Sequence, residues 1–225
     1  MFKKIASVVA IGLFTTQMAH AAVVESFDSG AWGGGWSNPG AGSVNAGAAH
    51  DGAYGVTLDG SSWTYNTSIV FSAGQTLSAW VRPSANSSGR AYFGFSADSA
   101  GAESFVAASN THALIFQDNT AYGYRDQNSA AQTFGNHWNL ISITRSADGS
   151  TATGKLFAAD GSTLLNSVVQ SGLGNSATGV ALRGFGGFDI DTIPITSAVP
   201  EPETYAMLFA GLGLIGFMGR RRKAA

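Results

Sequence analysis

The fold is decided by the stretch from Trp138 to Gln170, which reads WNLISITRSADGSTATGKLFAADGSTLLNSVVQ. It contains three short runs rich in apolar and β-branched residues, and each of the two intervening loops holds an Asp-Gly pair, at Asp148 and at Asp160. Asp-Gly is a strong hairpin signal, because tight hairpin turns need residues that tolerate positive φ. The stretch therefore predicts an antiparallel meander with strands at Trp138–Arg145, Thr153–Phe157 and Thr163–Gln170.

The sequence on either side of this meander continues the same pattern. In Gln75–Arg82 the apolar residues Leu77, Ala79 and Val81 alternate with a second face that carries Trp80, as a half-buried strand requires. The body shows no long helical period. Further candidate strands are Tyr54–Leu58, Ile69–Phe71, Ala91–Ser96, Ser104–Ala108, Ala113–Gln117, Tyr122–Arg125, Gly179–Phe185 and Phe188–Ile193. So many short strands cannot form one flat sheet, and we predict an all-β sandwich or barrel.

Four segments in this order resemble the concanavalin A-like, laminin-G-like jelly roll. They are Asp51–Gly60, Leu77–Pro83, Trp138–Arg145 with its Asp-Gly hairpin, and the closing Phe188–Ile193. The resemblance covers most of the body and implies a jelly-roll-like β-sandwich. A surface β-sandwich of another topology remains the alternative.

The N-terminal residues have the pattern of an export signal. Lys3 and Lys4 precede an apolar stretch, Ile5–Phe14, and Ala19 and Ala21 supply the small-x-small cleavage pattern. We therefore expect a signal peptide at residues 1–21 and a mature chain that begins at Ala22.

The C-terminal residues 199–225 combine three features in order. A Pro-Glu-Pro box is followed by an apolar run, Ala206–Met218, and then by a basic cluster. As a helix, Thr204–Gly219 reaches only about 24 Å, against roughly 30 Å of bilayer hydrocarbon. This predicts a short transmembrane helix whose basic end stays in the cytoplasm.

This constellation resembles the PEP-CTERM sorting signal of Gram-negative bacteria. Its matching residues are Pro200, Glu201, Pro202, Arg220, Arg221 and Arg222. The resemblance implies that an exosortase processes the chain after export through the inner membrane. It also implies a transient membrane anchor and delivery to the cell surface or the exopolysaccharide matrix. An ordinary tail anchor is the alternative.

The body between the two signals, residues 22–198, is long enough for one domain with its own core. It has no cysteine, and its six Lys/Arg oppose twelve Asp/Glu, a net charge near −6. Binding to nucleic acid needs clustered Lys/Arg, so we expect no nucleic-acid partner.

Catalytic motifs are absent from the body. Glycosidases of this fold place two carboxylates across the scissile bond, typically as Glu-x-Asp-x-x-Glu, whereas Glu25 and Glu103 are isolated. His50, His112 and His137 lack metal-ligand spacing. We therefore predict a protein that is not an enzyme.

Two features are candidates for binding. Asp189 and Asp191 point to one face of a strand and could serve catalysis or hold calcium, although a structural role at a turn, a sheet edge or a strand start is the simpler interpretation. Trp32 and Trp36 beside three glycines, and Tyr122 and Tyr124 in a polar segment, could stack on sugar rings, although such aromatics often lie in the core or shield a sheet edge.

Two functions follow from these patterns. The first is a non-catalytic surface or matrix module that binds exopolysaccharide or another glycan, with calcium as a possible cofactor. The alternative is a structural surface protein without a specific ligand, and a glycan-active enzyme ranks third.

Overall fold

The computed structural model describes residues 21–37, 39, 42–60, 63–83, 90–98, 101–109, 115–118, 124–127, 137–173, 178–197 and 208–213. Its strands are β1 (Ala22–Glu25), β2 (Gly42–Asn45), β3 (Gly55–Leu58), β4 (Thr64–Val70), β5 (Gln75–Pro83), β6 (Arg90–Asp98), β7 (Gly101–Ser109), β8 (Ile115–Asp118), β9 (Tyr124–Gln127), β10 (Asn139–Arg145), β11 (Thr151–Phe157), β12 (Leu164–Ser171), β13 (Thr178–Phe185), β14 (Phe188–Asp191) and β15 (Ile193–Ser197). A short 3-10 helix, Ala46–Ala48, follows β2.

The strands form two antiparallel sheets, which confirms the prediction of an all-β, jelly-roll-like sandwich. The nine-stranded sheet has the order β12-β11-β10-β5-β14-β3-β2, and β15 pairs with both β5 and β1. The six-stranded sheet has the order β4-β13-β6-β7-β8-β9. The core lies between the sheets, since both contribute buried side chains to one hydrophobic cluster.

Strand β5 confirms the predicted alternation at the centre of the nine-stranded sheet. Leu77, Ala79 and Val81 are buried in the core, whereas Trp80 and Arg82 on the other face are only partly covered. In the six-stranded sheet, Phe93 of β6 and Leu182 of β13 are paired in register and fully buried in the same core. The outward-facing residues of the six-stranded sheet are therefore those that alternate with these two.

The meander from β10 to β12 is also confirmed, and its turns explain why. Gly149 and Gly161 have φ values of 74° and 67°, in the left-handed region that favours glycine. Asp148 accepts hydrogen bonds from Ser146 and Ser150, and Asp160 accepts from Ser162 and Thr163. Each aspartate thus stabilises the conformation of its own hairpin loop.

These two aspartates are expected to make the stability of the fold depend on pH in the acid range. A hydrogen bond from the Ser146 hydroxyl, with others from Ser150, lowers the pKa of Asp148 from 3.8 to about 2. Bonds from the Thr163 hydroxyl and amide, and from the Ser162 amide, lower the pKa of Asp160 as well. Because both folded pKa values lie below the unfolded value, their stabilisation is complete above about pH 4 and is lost as pH falls toward 2 and below.

An Asp148→Asn, Asp160→Asn double variant tests this dependence. We expect its melting temperature to be a few degrees below the wild-type value at pH 7, and the difference to shrink progressively toward pH 2. Thermal melts followed by circular dichroism between pH 2 and pH 7 measure it. A difference that stays constant over this range would contradict the assignment.

The end of the body departs from the sequence prediction. One strand was predicted over Phe188–Ile193, but Thr192 adopts φ 48°, which separates β14 from β15. Strand β15 then pairs with β5 and with β1, and Ala22 lies opposite Ile195. The two ends of the body therefore lie side by side in the nine-stranded sheet.

The chain divides into two compact units, Ala21–Ala198 and a second unit made of Met1–His20 and Val199–Ala225. In the second unit, residues 208–213 are described and are helical. Among all described residues, no helix has the length and apolar character needed to span a bilayer.

Candidate functional site

Aromatic and cationic side chains meet on the outer face of the six-stranded sheet. Arg183 in β13 pairs directly with Tyr92 in β6, and both alternate with core residues, so both point away from the core. Trp63 immediately precedes β4, which pairs with β13 on its other side. We call Trp63, Tyr92 and Arg183 the Arg183 cluster.

The geometry of the Arg183 cluster is that of a cation held by two rings. The guanidinium carbon of Arg183 lies 5.3 Å from the Tyr92 ring centroid and 6.0 Å from that of Trp63. The two rings are 6.1 Å apart at an interplanar angle of 69°. Trp63 is only 8% exposed, whereas Tyr92 and Arg183 are partly accessible. Trp63 is therefore the most covered member of the cluster.

The guanidinium of Arg183 is incompletely hydrogen-bonded. Its Nε is buried and has no hydrogen-bond partner among the residues that the structure describes. Arg90 lies on the same face of β6, two residues before Tyr92. Ring faces stack against the C–H faces of sugars and a guanidinium donates to oxygen acceptors, so this surface is chemically suited to a polar ring-shaped ligand.

The sequence did not single out the Arg183 cluster. Arg183 and Tyr92 both lay in predicted strands, but only the register of β6 and β13 makes them neighbours. The available signal was an arginine alternating with apolar residues in Gly179–Phe185, which marks an outward-facing cation without indicating what surrounds it.

Trp32 and Trp36 occupy a loop that covers the core. The Trp32 ring lies 5.2 Å from Phe27 and 5.3 Å from Trp36, and both tryptophans are half-buried against the hydrophobic cluster. Glu25 holds this loop, because its carboxylate accepts hydrogen bonds from the amides of Ser26, Phe27 and Gly33. Packing accounts for this placement, and a ligand-binding role for the pair stays a prediction.

The other predicted aromatic pair is only partly within the described chain. Tyr122 lies outside the described residues. Tyr124 begins β9 and pairs with Gln117 of β8, so its backbone belongs to the same six-stranded sheet as the Arg183 cluster. The predicted binding role of these two tyrosines remains a prediction.

Asp189 and Asp191 do lie in one strand, as predicted, but their oxygens already accept hydrogen bonds. Asp189 accepts from the Thr57 hydroxyl at 2.8 Å and from Nε and Nη2 of Arg82 at 3.1 and 2.7 Å. Asp191 accepts from the amides of His50, Asp51 and Thr192 at 2.8, 3.0 and 2.7 Å. Burial raises the pKa of Asp191, and these three amides act in the opposite direction.

This arrangement does not fit a calcium site. Calcium takes six to eight oxygen ligands, whereas every carboxylate oxygen of Asp189 and Asp191 already accepts a hydrogen bond. Within the described parts of the chain, no group of three or more acidic, histidine or cysteine side chains could hold a metal ion. Asp189 is also already paired with the positive charge of Arg82, with which a calcium ion would have to compete.

A second aromatic cluster lies on the outer face of the nine-stranded sheet. His50 stacks on Trp80 at 3.9 Å and meets the edge of Trp138 at 5.2 Å. Arg82 lies over Trp138 at 4.6 Å and donates to the carbonyl of Gly47. Together with the hydrogen bonds that the amides of His50 and Asp51 donate to Asp191, these contacts hold the segment 46–51 against the sheet. The cluster therefore has a structural explanation.

Among the predicted sorting and cleavage residues, Pro200, Glu201, Pro202, Arg220, Arg221, Arg222 and Ala19 lie outside the described residues. Ala21 is the first described residue and directly precedes β1. Strand β15 ends at Ser197, directly before the C-terminal segment.

Comparison with known proteins addresses both parts of the chain. Residues 198–223 match the PEP-CTERM protein-sorting motif. Comparison with curated protein sequences finds no match.

Solved structures similar to the body are lectin-like. The exoplasmic/lumenal domain of VIP36 in its Ca2+/Man2-bound form is 13% identical with a TM-score of 0.54, over 83% of this chain and 91% of that one. The carbohydrate-binding module CBM66 from Bacillus subtilis is 12% identical with a TM-score of 0.50, over 72% of this chain and 96% of that one. At such identities the likeness shows the fold alone. The chain thus carries a PEP-CTERM sorting motif that follows, in the sequence, a β-sandwich of concanavalin A-like, lectin-like fold.

Proposed function

We propose that the protein is exported, processed by an exosortase and delivered to the cell surface or extracellular matrix of a Gram-negative bacterium, where its body binds a glycan without modifying it. The observation that carries the binding proposal is the Arg183 cluster on the outer face of the six-stranded sheet. It combines a partly accessible ring with a partly accessible cation, and sugar recognition uses both kinds of group.

Similar folds support a glycan as the ligand. The VIP36 domain is described as bound to Man2 and Ca2+, and CBM66 is described as a carbohydrate-binding module. Fold alone does not establish function, so the proposal depends on the residues of this chain.

The state of the acidic residues supports a non-catalytic role. Glu25, Asp189 and Asp191 are buried, and each accepts hydrogen bonds that hold the fold. A general acid or base must instead be within reach of substrate. None of these three carboxylates is placed for that work.

The binding proposal is tested by Tyr92→Ala. We expect at least one glycan of a surface-polysaccharide array to bind the wild-type protein and to bind the variant roughly tenfold more weakly, since one stacked ring contributes about 1 kcal/mol beyond its area. Tyr54→Ala is the matched control, because Tyr54 is an exposed tyrosine of the nine-stranded side of the body, next to β3. Equal losses in both variants would contradict the assignment of the face.

The end of strand β15 limits where the chain can be cut without the loss of a strand. Strand β15 extends to Ser197, and the Pro-Glu-Pro box starts at Pro200. We propose that processing occurs after Ser197, so that the sandwich leaves the membrane with all its strands. Mass spectrometry of the surface-exposed protein should find a C-terminal peptide that includes Ser197 and lacks Arg220. Detection of the intact basic tail on that protein would contradict processing.

The second candidate function is a structural surface protein without a specific ligand. The burial of Trp63 favours it, because a ring covered by the body can serve packing alone. This alternative predicts that no glycan of the array binds, and that deletion of the gene changes matrix or aggregation behaviour.

A further inference from the structure

We propose that the glycan bound at the Arg183 cluster is acidic, with a sugar carboxylate, as in a uronic acid, paired with the guanidinium of Arg183. This inference rests on the proposed function and specifies its ligand. It follows from the contacts of the arginines and from the local charge on the six-stranded sheet.

The described contacts of Arg183 differ in kind from those of two other arginines. Arg82 pairs with the carboxylate of Asp189, and Arg145 donates to the carbonyls of Phe71 and Gly149. The contacts that the structure describes for Arg183 are with the rings of Tyr92 and Trp63. Aromatic faces hold a cation in place but provide no oxygen for its N–H groups.

A guanidinium in this state is suited to a carboxylate. Arginine presents its N–H donors in a planar fork that matches the two oxygens of a carboxylate, and such charged pairs are stronger than neutral hydrogen bonds. The partly buried setting beside Trp63 strengthens a charged pair that forms with this guanidinium. A neutral sugar hydroxyl would leave the positive charge uncompensated.

The charged residue nearest to the cluster on this face is also positive. The body as a whole is acidic, with six Lys/Arg against twelve Asp/Glu. Arg90 lies on the strand next to Arg183 and on the same outer face, two residues before Tyr92, whereas Asp98 of β6 and Glu103 of β7 lie farther along this face. Arg183 and the Tyr92 ring, with Arg90 beside them, therefore form a surface that fits a carboxylated sugar ring.

The test compares two forms of one glycan. The full-length protein, solubilised in detergent, is titrated with oligogalacturonate and with the same oligomer fully methyl-esterified, which removes the charge and keeps the sugar. We expect the acidic form to bind roughly ten- to a hundredfold more tightly, as a charged hydrogen-bonded pair allows. A sulfated neutral oligomer that binds as tightly as oligogalacturonate would overturn the carboxylate assignment.

Two substitutions assign the effect to Arg183. Arg183→Gln should bind both oligomers equally, at the level of the ester, and Arg183→Lys should keep part of the preference because it retains the charge without the fork. Lys155→Gln removes a cation from β11 of the other sheet and should leave the preference unchanged. Melting curves verify that each variant is folded.

The outcomes distinguish a failure of this inference from a failure of the proposed function. If the wild-type protein binds the ester as tightly as the acid, the acidic ligand is wrong while glycan binding stands. If Arg183→Gln keeps the preference for the acid, the pairing of the carboxylate with Arg183 is wrong. If neither oligomer binds and no glycan of the array binds, the proposed function itself is wrong.

Discussion

A chain that ends at Thr192, and so lacks β15, is expected not to fold. Ile193 and Ile195 of this strand are buried in the core, at 0% and 7% exposure. Burial of each such side chain stabilises the fold by about 1.5–3 kcal/mol. Strand β15 also bonds to β5 on one side and to β1 on the other, so its loss leaves β1 without the partner that the structure shows. These terms together are comparable to the roughly 5–15 kcal/mol that stabilises a typical domain.

The matched control ends at Val199, which removes the Pro-Glu-Pro box, the apolar run and the basic cluster but keeps β15 whole. Both chains begin at Ala22. We expect the longer one to melt cooperatively and resist protease, and the shorter one to show neither property. Cooperative melting of the shorter chain within a few degrees of the longer one would contradict the role of β15, and with it the proposal that processing must occur after Ser197.

The second large effect is expected from Asp191→Ala. Asp191 is fully buried, and its carboxylate accepts the amides of His50, Asp51 and Thr192. Removal of the side chain leaves these donors without their acceptor and weakens the attachment of the segment 46–51 to the sheet. The three amides are only partly buried, so each unpaired donor costs about 1 kcal/mol, the low end of the range for buried donors, and we expect a total loss of roughly 2–4 kcal/mol. In a domain of this size that corresponds to a fall of about 4–16 °C in melting temperature.

This variant also tests the calcium prediction for Asp189 and Asp191. If Asp191 acts through its amide bonds, the loss of stability should be the same in calcium and in chelator, and chelator should not change the wild-type melting temperature. A wild-type protein that falls to the stability of the variant in chelator would instead assign a metal to the pair. Asp59→Ala, at an exposed aspartate beside β3, is the control and should change stability by less than about 0.5 kcal/mol.

The strands that the sequence predicted well are those in which one face is buried and the other is not. The alternation in β5 and the Asp-Gly turns between β10, β11 and β12 are local properties, because side chains of a strand alternate between faces and tight turns need positive φ. The four-residue strands Ala22–Glu25 and Gly42–Asn45 were missed, since so few residues carry no readable period. The break at Thr192 was missed because nothing in the residue type requires φ 48°.

The candidate site was less predictable than the fold. Trp32 and Trp36 drew attention because they are close in the sequence, and the structure places them half-buried against the core. Asp189 and Asp191 were correctly placed in one strand, but the donors that fill their oxygens come from distant segments, such as the amide of His50. A sequence shows which groups can accept hydrogen bonds, and it does not show which acceptors are already occupied.

The C-terminal sorting motif could be identified without any structure, because it is a linear signal: a proline box, an apolar run and a basic cluster act through their order along the chain. The strand content was readable for the same reason, since period two and turn chemistry are local. The Arg183 cluster required the fold. Trp63, Tyr92 and Arg183 meet through the pairing of β4, β13 and β6, which are far apart in sequence. That pairing arises from the burial of whole sheets against one core, a property that no short segment carries.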